Sequence, residues 1–247
     1  MSGFSAPFFV VRKPFTRCCR LFMVRPLRSP TTRAPLAAIA RALAASGVRR
    51  AVNLSSTGAH LAKGTGPIAG LHDQEQRLNE LAGVRVFHLR PGYFFENHFN
   101  AIGSIKALGV YSDFIEPDAP IPSIATSDIA AVAARELINP GQNAERRVLH
   151  LRAPKSYTPT EAAGVLGRAI GKPDLSYVRA NPAQAKAGLM QRGVSPQMAD
   201  LLAEMCQAFA RPEFAAESLA GPTEITPTSL EQFAPVFKSV YETTAGQ

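Results

Sequence analysis

Two short apolar runs set the hydrophobic pattern of this chain: Ala51-Val52-Asn53-Leu54 and Val84-Arg85-Val86-Phe87-His88-Leu89. Each is approached through Gly-Val, and each closes in small polar or turn residues, Ser55-Ser56 and Pro91-Gly92. Runs of this length and composition predict strands. Between them lie a Gly-rich loop from Thr57 to Pro67 and a segment, Leu71 to Leu81, whose leucines predict a helix ended by Gly83. Upstream, Leu21-Phe22-Met23-Val24 is continuously apolar and stops at Arg25-Pro26, the pattern of a fully buried strand. From Pro35, the residues Leu36, Ile39, Ala40 and Leu43 keep helical spacing until Gly47. Strand and helix alternate, which predicts two βαβ units and an α/β fold with a parallel sheet. In such a sheet the carboxyl edge carries the functional loops.

Downstream, Thr126-Ser127-Asp128 offers a cap and a first-turn acid to a helix with Ile129, Val132, Ala133 and Leu137 on one face. Arg147 to Leu151 predicts another strand. Thr158-Pro159-Thr160-Glu161 is a capping box with proline at the first helical position. Residues 173–215 lean helical, and Met198, Leu201, Leu202, Met205 and Phe209 form a stripe read as core rather than substrate contact. A last helix is expected to open at Thr226-Pro227-Thr228, with Glu231 three residues after Thr228 and a kink at Pro235.

Composition narrows the class. A chain of 247 residues, 46% hydrophobic, can bury a substantial core. No apolar run reaches the ~18 residues needed to cross a bilayer, so no membrane partner is expected. The cysteines are Cys18, Cys19 and Cys206, an odd number with no C-x-x-C, which argues against a disulfide framework or a zinc site. A reducing, cytoplasmic location is the expectation. The net charge of +8 is unevenly placed: residues 1–72 hold 11 Lys or Arg and no acid, whereas the other 175 residues hold 16 basic and all 19 acidic side chains. The basicity therefore belongs to the front of the chain, read as an atypical lead-in over residues 1–20 or an organellar transit segment. A nucleic-acid partner is not expected, since it would need those arginines on one face.

The stretches Gly47 to His60, Gly64-Thr65-Gly66-Pro67-Ile68, Glu75 to Leu78 and Leu89-Arg90-Pro91-Gly92-Tyr93-Phe94-Phe95-Glu96-Asn97 resemble NmrA-type proteins. These are atypical members of the short-chain dehydrogenase/reductase superfamily. Thr126 to Ala130 and Thr226 to Leu230 extend the resemblance, which runs roughly from Leu21 to the C-terminus. It implies a Rossmann-like parallel sheet holding NAD(P), with a small helical C-terminal lobe closing over a small-molecule substrate. The implied divisions are a partial NAD(P)-binding domain over 21–152, a helical substrate lobe over 153–225, and a C-terminal helix over 226–247 packing back on the domain. The implied activity is NAD(P)H-dependent oxidoreduction. The alternative is a regulator that binds the cofactor without turning it over.

By the same resemblance, Arg25 and Pro26 border the cofactor cleft, and Ser55 and Ser56 either bond the nicotinamide ribose or merely cap the strand. Pro91-Gly92 lets the backbone pass close to the nicotinamide, Tyr93 and Phe94 offer ring faces to it, and Phe95 and Asn97 meet the substrate. The chain departs from the pattern in two places. No Gly-rich phosphate turn precedes Leu21, so the sheet is expected to lack its first three strands, as in a truncated member, and to bind NAD(P) weakly. The open strand edge left behind would favour self-association. The residues nearest the superfamily's Tyr-x-x-x-Lys are His72 and Gln76, and only His72 can give up a proton near neutrality, which makes it the candidate acid. Other chemistries lack their motifs: Lys63 precedes Gly64, the reverse of a P-loop, no G-x-S-x-G frames a serine, and no His, Cys and carboxylate cluster has metal-ligand spacing.

Overall fold

A computed structural model describes residues 33–138, 146–191 and 193–244. The elements run α1 (Arg33–Ala45), β1 (Arg50–Leu54), α2 (Ile68–Asn79), β2 (Arg85–Pro91), β3 (Tyr93–Phe94), a 3-10 segment (Phe95–Ala101) and α3 (Ile102–Leu108). They continue through β4 (Tyr111–Asp113), β5 (Ser123–Ile124), α4 (Thr126–Ile138), β6 (Arg146–Arg152), α5 (Pro159–Ala169), β7 (Tyr177–Arg179) and α6 (Pro182–Gln191). The last are α7 (Pro196–Ala208), α8 (Pro212–Ala220), β8 (Thr223–Ile225) and α9 (Leu230–Thr243).

The two apolar runs pair side by side and parallel, with Arg50 opposite Arg85 and Leu54 opposite Leu89. The main sheet is parallel throughout, in the order β1-β2-β6-β8. Helices cover both of its faces, as parallel strands require. On one face Leu43 of α1 and Leu78 of α2 bury Ala51, Val84 and Val86. On the other, Ile129, Val132 and Ala133 of α4 bury Val52, Leu89, Leu149 and Leu151. This is a Rossmann-like α/β fold. The strand expected at Leu21 to Val24 lies outside the described residues.

The α2 face of the sheet is not wholly apolar. Alternation along β1 and β2 puts Asn53, His88 and Arg90 on that side, and the register sets His150 of β6 opposite Arg90. All four are nearly inaccessible. Helix α2 meets them with amides and a carboxylate. Gln74 donates to Asn53 Oδ1 at 2.5 Å, Asn53 Nδ2 lies 2.9 Å from His88 Nδ1, and Asn79 Oδ1 lies 3.1 Å from His88 Nε2. A helix read as amphipathic through its leucines is thus fastened to the sheet by polar groups.

The C-terminal half builds a second core, where Ala162, Ala163 and Leu166 of α5 and Leu230, Phe233 and Phe237 of α9 enclose Phe95. The capping box at Thr158 and Glu161 forms as expected. The start of α9 differs: its cap is Ser229, boxed with Gln232, in place of the expected Thr226–Thr228 with Glu231. Thr228 instead gives its hydroxyl to Asp128 Oδ1 (2.9 Å) and its amide to Oδ2 (3.1 Å), tying this turn to the start of α4. Within the span 173–215, β7 joins β4 in a separate parallel pair, and the chain returns to the main sheet at β8. Among the described residues, no helix is long and apolar enough to cross a membrane, and no cluster of His, Cys, Asp and Glu could hold a metal ion.

Candidate functional site

At the carboxyl ends of β1 and β2 the chain opens into a cavity of about 300 Å³. Its floor is Leu54, Ser55 and Thr57 leaving β1 and Gly92 leaving β2, with Ile68 and Leu71 of α2 to one side. Its opposite wall comes from the C-terminal helices: Leu202 and Met205 of α7, then Phe209, and Phe214 of α8. Phe209 stands edge-on to both Tyr93 (6.0 Å between centroids) and Phe214 (5.1 Å), a favourable arrangement for aromatic pairs. The stripe read as core therefore does two things. Met205 and Phe209 bury against neighbouring apolar side chains, and with Leu202 they also face the cavity. The Gly-rich loop lets the wall come this close. Gly66 has φ +57, and a Cβ there would sit 2.0 Å from the Leu201 carbonyl oxygen.

Six of the expected site residues line this cavity: Ser55, Ser56, Gly92, Tyr93, Phe94 and Asn97. Pro91 does not. It ends β2 buried, and its carbonyl accepts the Thr57 amide at 2.9 Å, which sets the exit of β1 beside that of β2. Gly92 also has a reason beyond the one expected. A Cβ at this position would lie 2.2 Å from the Pro122 carbonyl oxygen, so the glycine is required by the neighbouring backbone. Gly92→Ala is expected to lower stability by about 3 kcal/mol, the upper end for overpacking, and thermal unfolding checks it.

Two assignments are corrected. Phe95 is not a substrate contact: it is wholly buried, stacked near His98 and packed on Phe233 and Tyr157. The chain turns where β3 gives way to the 3-10 segment, so Tyr93 and Phe94 line the cavity while Phe95 enters the core. His72 is not among the cavity-lining residues, and its Nδ1 donates to the Ala59 carbonyl at 2.9 Å, which pins the Gly-rich loop. Its Nδ1 proton is engaged by the loop rather than directed into the cavity. Arg25 and Pro26 lie outside the described residues.

Behind the floor sits a charged cluster that the strand patterns did not suggest. Arg90 forms a two-pronged pair with Glu75 of α2, Nε to Oε1 at 2.9 Å and Nη2 to Oε2 at 2.5 Å, and also bonds Glu217 of α8. Burial opposes charge on Glu75, but the Arg90 hydrogen bonds, helped by His88 and Ser55, outweigh it and hold the carboxyl below its ordinary range. His60 Nδ1 lies 3.0 Å from Glu217, and His150 Nε2 lies 4.0 Å from it. Burial lowers the His150 pKa. The signal was present in the sequence as Asn53, His88, Arg90 and His150 at inward positions of otherwise apolar strands.

The residues present fit one end of a nicotinamide dinucleotide better than the other. Ser55 Oγ is buried without a full hydrogen bond, although near enough to Glu75 to favour its charge, and the floor is flat and apolar around it. That suits an uncharged ring carrying a polar substituent. A diphosphate finds no such place among the described residues. No charged side chain among the described residues lines the cavity, and the first amides of α2 already donate to the carbonyls of Thr65, Gly66 and Pro67.

Comparison with known proteins bears on this geometry. No family model matches the chain. Agroclavine dehydrogenase of Claviceps fusiformis is 31% identical over 163 residues, which is 64% of this chain and 53% of that protein. A (4-alkanoyl-5-oxo-2,5-dihydrofuran-3-yl)methyl phosphate reductase of Streptomyces griseus is 30% identical over 162 residues, 64% of this chain and 55% of the relative. The chain thus spans about half the length of the curated relatives it matches. Among solved structures, the NADPH-dependent quinone oxidoreductase of Escherichia coli, complexed with NADPH, superposes with a TM-score of 0.68 at 23% identity, over 88% of this chain and 75% of that one. The Citrobacter sp. triphenylmethane reductase complexed with NADP(H) gives 0.61 at 17% identity, over the same shares. The fold is that of these reductases.

Proposed function

We propose that this chain is an NmrA-like, NAD(P)H-dependent oxidoreductase of a small molecule. The observation that carries the reading is the apolar cavity at the carboxyl ends of two adjacent parallel strands, with a buried serine hydroxyl at its floor. The relatives support it, since their names describe a dehydrogenase and a reductase. When bound, the cofactor would supply the hydride. The chain's own contribution is positioning: Ser55 and Asn97 present neutral polar groups, Tyr93 and Phe94 present rings, and the α7–α8 wall excludes water. Affinity for NADPH is expected to be weak, because the described residues lack a diphosphate cradle. Calorimetry showing tight, stoichiometric binding would contradict that expectation. Oxidation of NADPH by the full chain with at least one member of a panel of quinones and enones is the expected result, and no turnover with any of them would refute the assignment.

One observation favours a second reading, a non-catalytic NAD(P)-sensing protein. His72, the candidate acid, is bonded to a loop carbonyl and lies outside the cavity lining. A sensor would bind NADPH without oxidising it, and the same assay separates the two.

A further inference from the structure

The chemistry of the cavity wall also limits what can enter. We infer that the site takes an uncharged, flat, largely apolar compound with one hydrogen-bonding edge, and rejects anionic compounds of the same shape. This rests on the oxidoreductase reading above and names the substrate class of that site.

Every polar side chain facing the cavity among the described residues is neutral: Ser55, Ser56, Thr57, Asn97 and the Tyr93 hydroxyl-bearing ring. Several of these are already engaged. Ser56 Oγ donates to the Thr57 carbonyl (2.9 Å), and the Tyr93 hydroxyl is directed to Asp113 Oδ2 (3.3 Å). The Ser55 hydroxyl is buried and turned toward Glu75, whereas the Asn97 side chain has no hydrogen-bond partner among the described residues and is left for a bound molecule. The rest of the surface is hydrocarbon and aromatic. The Phe209 and Phe214 rings on one side and Phe94 on another suit a planar ring system, and about 300 Å³ is at the small end for ligand pockets.

Two described cations near the cavity are engaged elsewhere. The Arg90 guanidinium is bonded by two carboxylates, Glu75 and Glu217, and Arg211 donates to the Gly64 carbonyl. A carboxylate or phosphate drawn into this space would leave water without meeting an opposite charge among the described residues, and so binds less tightly than a neutral analogue. The Streptomyces relative is named for a phosphate ester, and the cavity described here offers that group no cation.

The test is direct binding to the full chain without any nicotinamide cofactor, measured by equilibrium dialysis. The probes are 2-acetylnaphthalene and 2-naphthoate, which share shape and differ in charge. The ketone is expected to bind at least about tenfold more tightly than the carboxylate. In Leu202→Lys, which places a cation on the α7 wall, that ratio is expected to fall or invert. A ratio below tenfold in the natural chain, or no binding of the ketone, overturns the inference. So does an unchanged ratio in a Leu202→Lys protein whose circular dichroism matches the natural chain. Because NADPH is absent, the ratio is readable whether or not the chain oxidises NADPH, and the selectivity and the oxidoreductase assignment fail separately.

Discussion

Replacing Arg90 with methionine is expected to cost about 3–5 kcal/mol of folding stability, because it strands a buried carboxylate. Arg90 and Glu75 are 5% and 2% exposed, and the guanidinium holds both oxygens of the acid. Glu217, the other partner, is considerably more exposed and can return to water, so the loss falls mainly on Glu75. The double variant Arg90→Met/Glu75→Gln removes both charges and is expected to recover much of the loss, since a neutral pair has no desolvated charge to balance. Urea unfolding of the two variants and the natural chain checks this. The pH dependence has a definite sign. The folded pKa of Glu75 lies below its ordinary value of 4.5, so its contribution is fully present above 4.5 and disappears as pH falls through the lower, folded value. In Arg90→Met that dependence is expected to reverse, with acid relieving the strain of a buried charge.

The same cluster shows why part of the site could be read from the sequence and part could not. The parallel pairing of β1 and β2, the Gly-rich exit of the first strand and the turn at Pro91-Gly92 are local, and local patterns announced them. Six cavity residues were named along that edge through the family resemblance. The polar layer on the α2 face was hidden because Asn53, His88 and Arg90 alternate with valines and leucines, and periodicity assigns such residues to solvent when one face is presumed exposed. Both faces of a parallel sheet are covered, so those side chains had to be buried, and buried polar groups need partners. Gln74 and Glu75 on the following helix are those partners. The α7–α8 wall was out of reach for another reason. Its contact with the sheet edge joins residues more than a hundred positions apart, and a Met-bearing stripe has the same spacing whether it meets a core or a ligand. The Ser229 cap of α9 was missed because Thr226, Thr228 and Ser229 are all competent caps. What decided among them was the Asp128 carboxylate, which takes both the amide and hydroxyl of Thr228.

Neighbouring phenylalanines give the sharpest separation of core from cavity. Phe95→Ala is expected to destabilise the chain by about 3–5 kcal/mol, the usual cost of removing a fully enclosed aromatic ring. Phe95 has no accessible surface and packs with centroids 5.5 Å from Phe233 and 6.1 Å from Tyr157, so neighbours from α9 and the α5 entry would face a void. His98 stacks on the same ring, and burial already lowers its pKa to about 4, so it stays neutral at neutral pH and adds no charge to that core. Phe94→Ala is expected to behave oppositely: its ring faces the cavity, so its removal should weaken 2-acetylnaphthalene binding by about tenfold while costing under about 2 kcal/mol of stability. Thermal unfolding and equilibrium dialysis on the two variants measure both effects. If Phe95→Ala kept its stability and lost the ligand, the ring would belong to the site after all, and the corner at Tyr93–Phe95 would have to turn the other way.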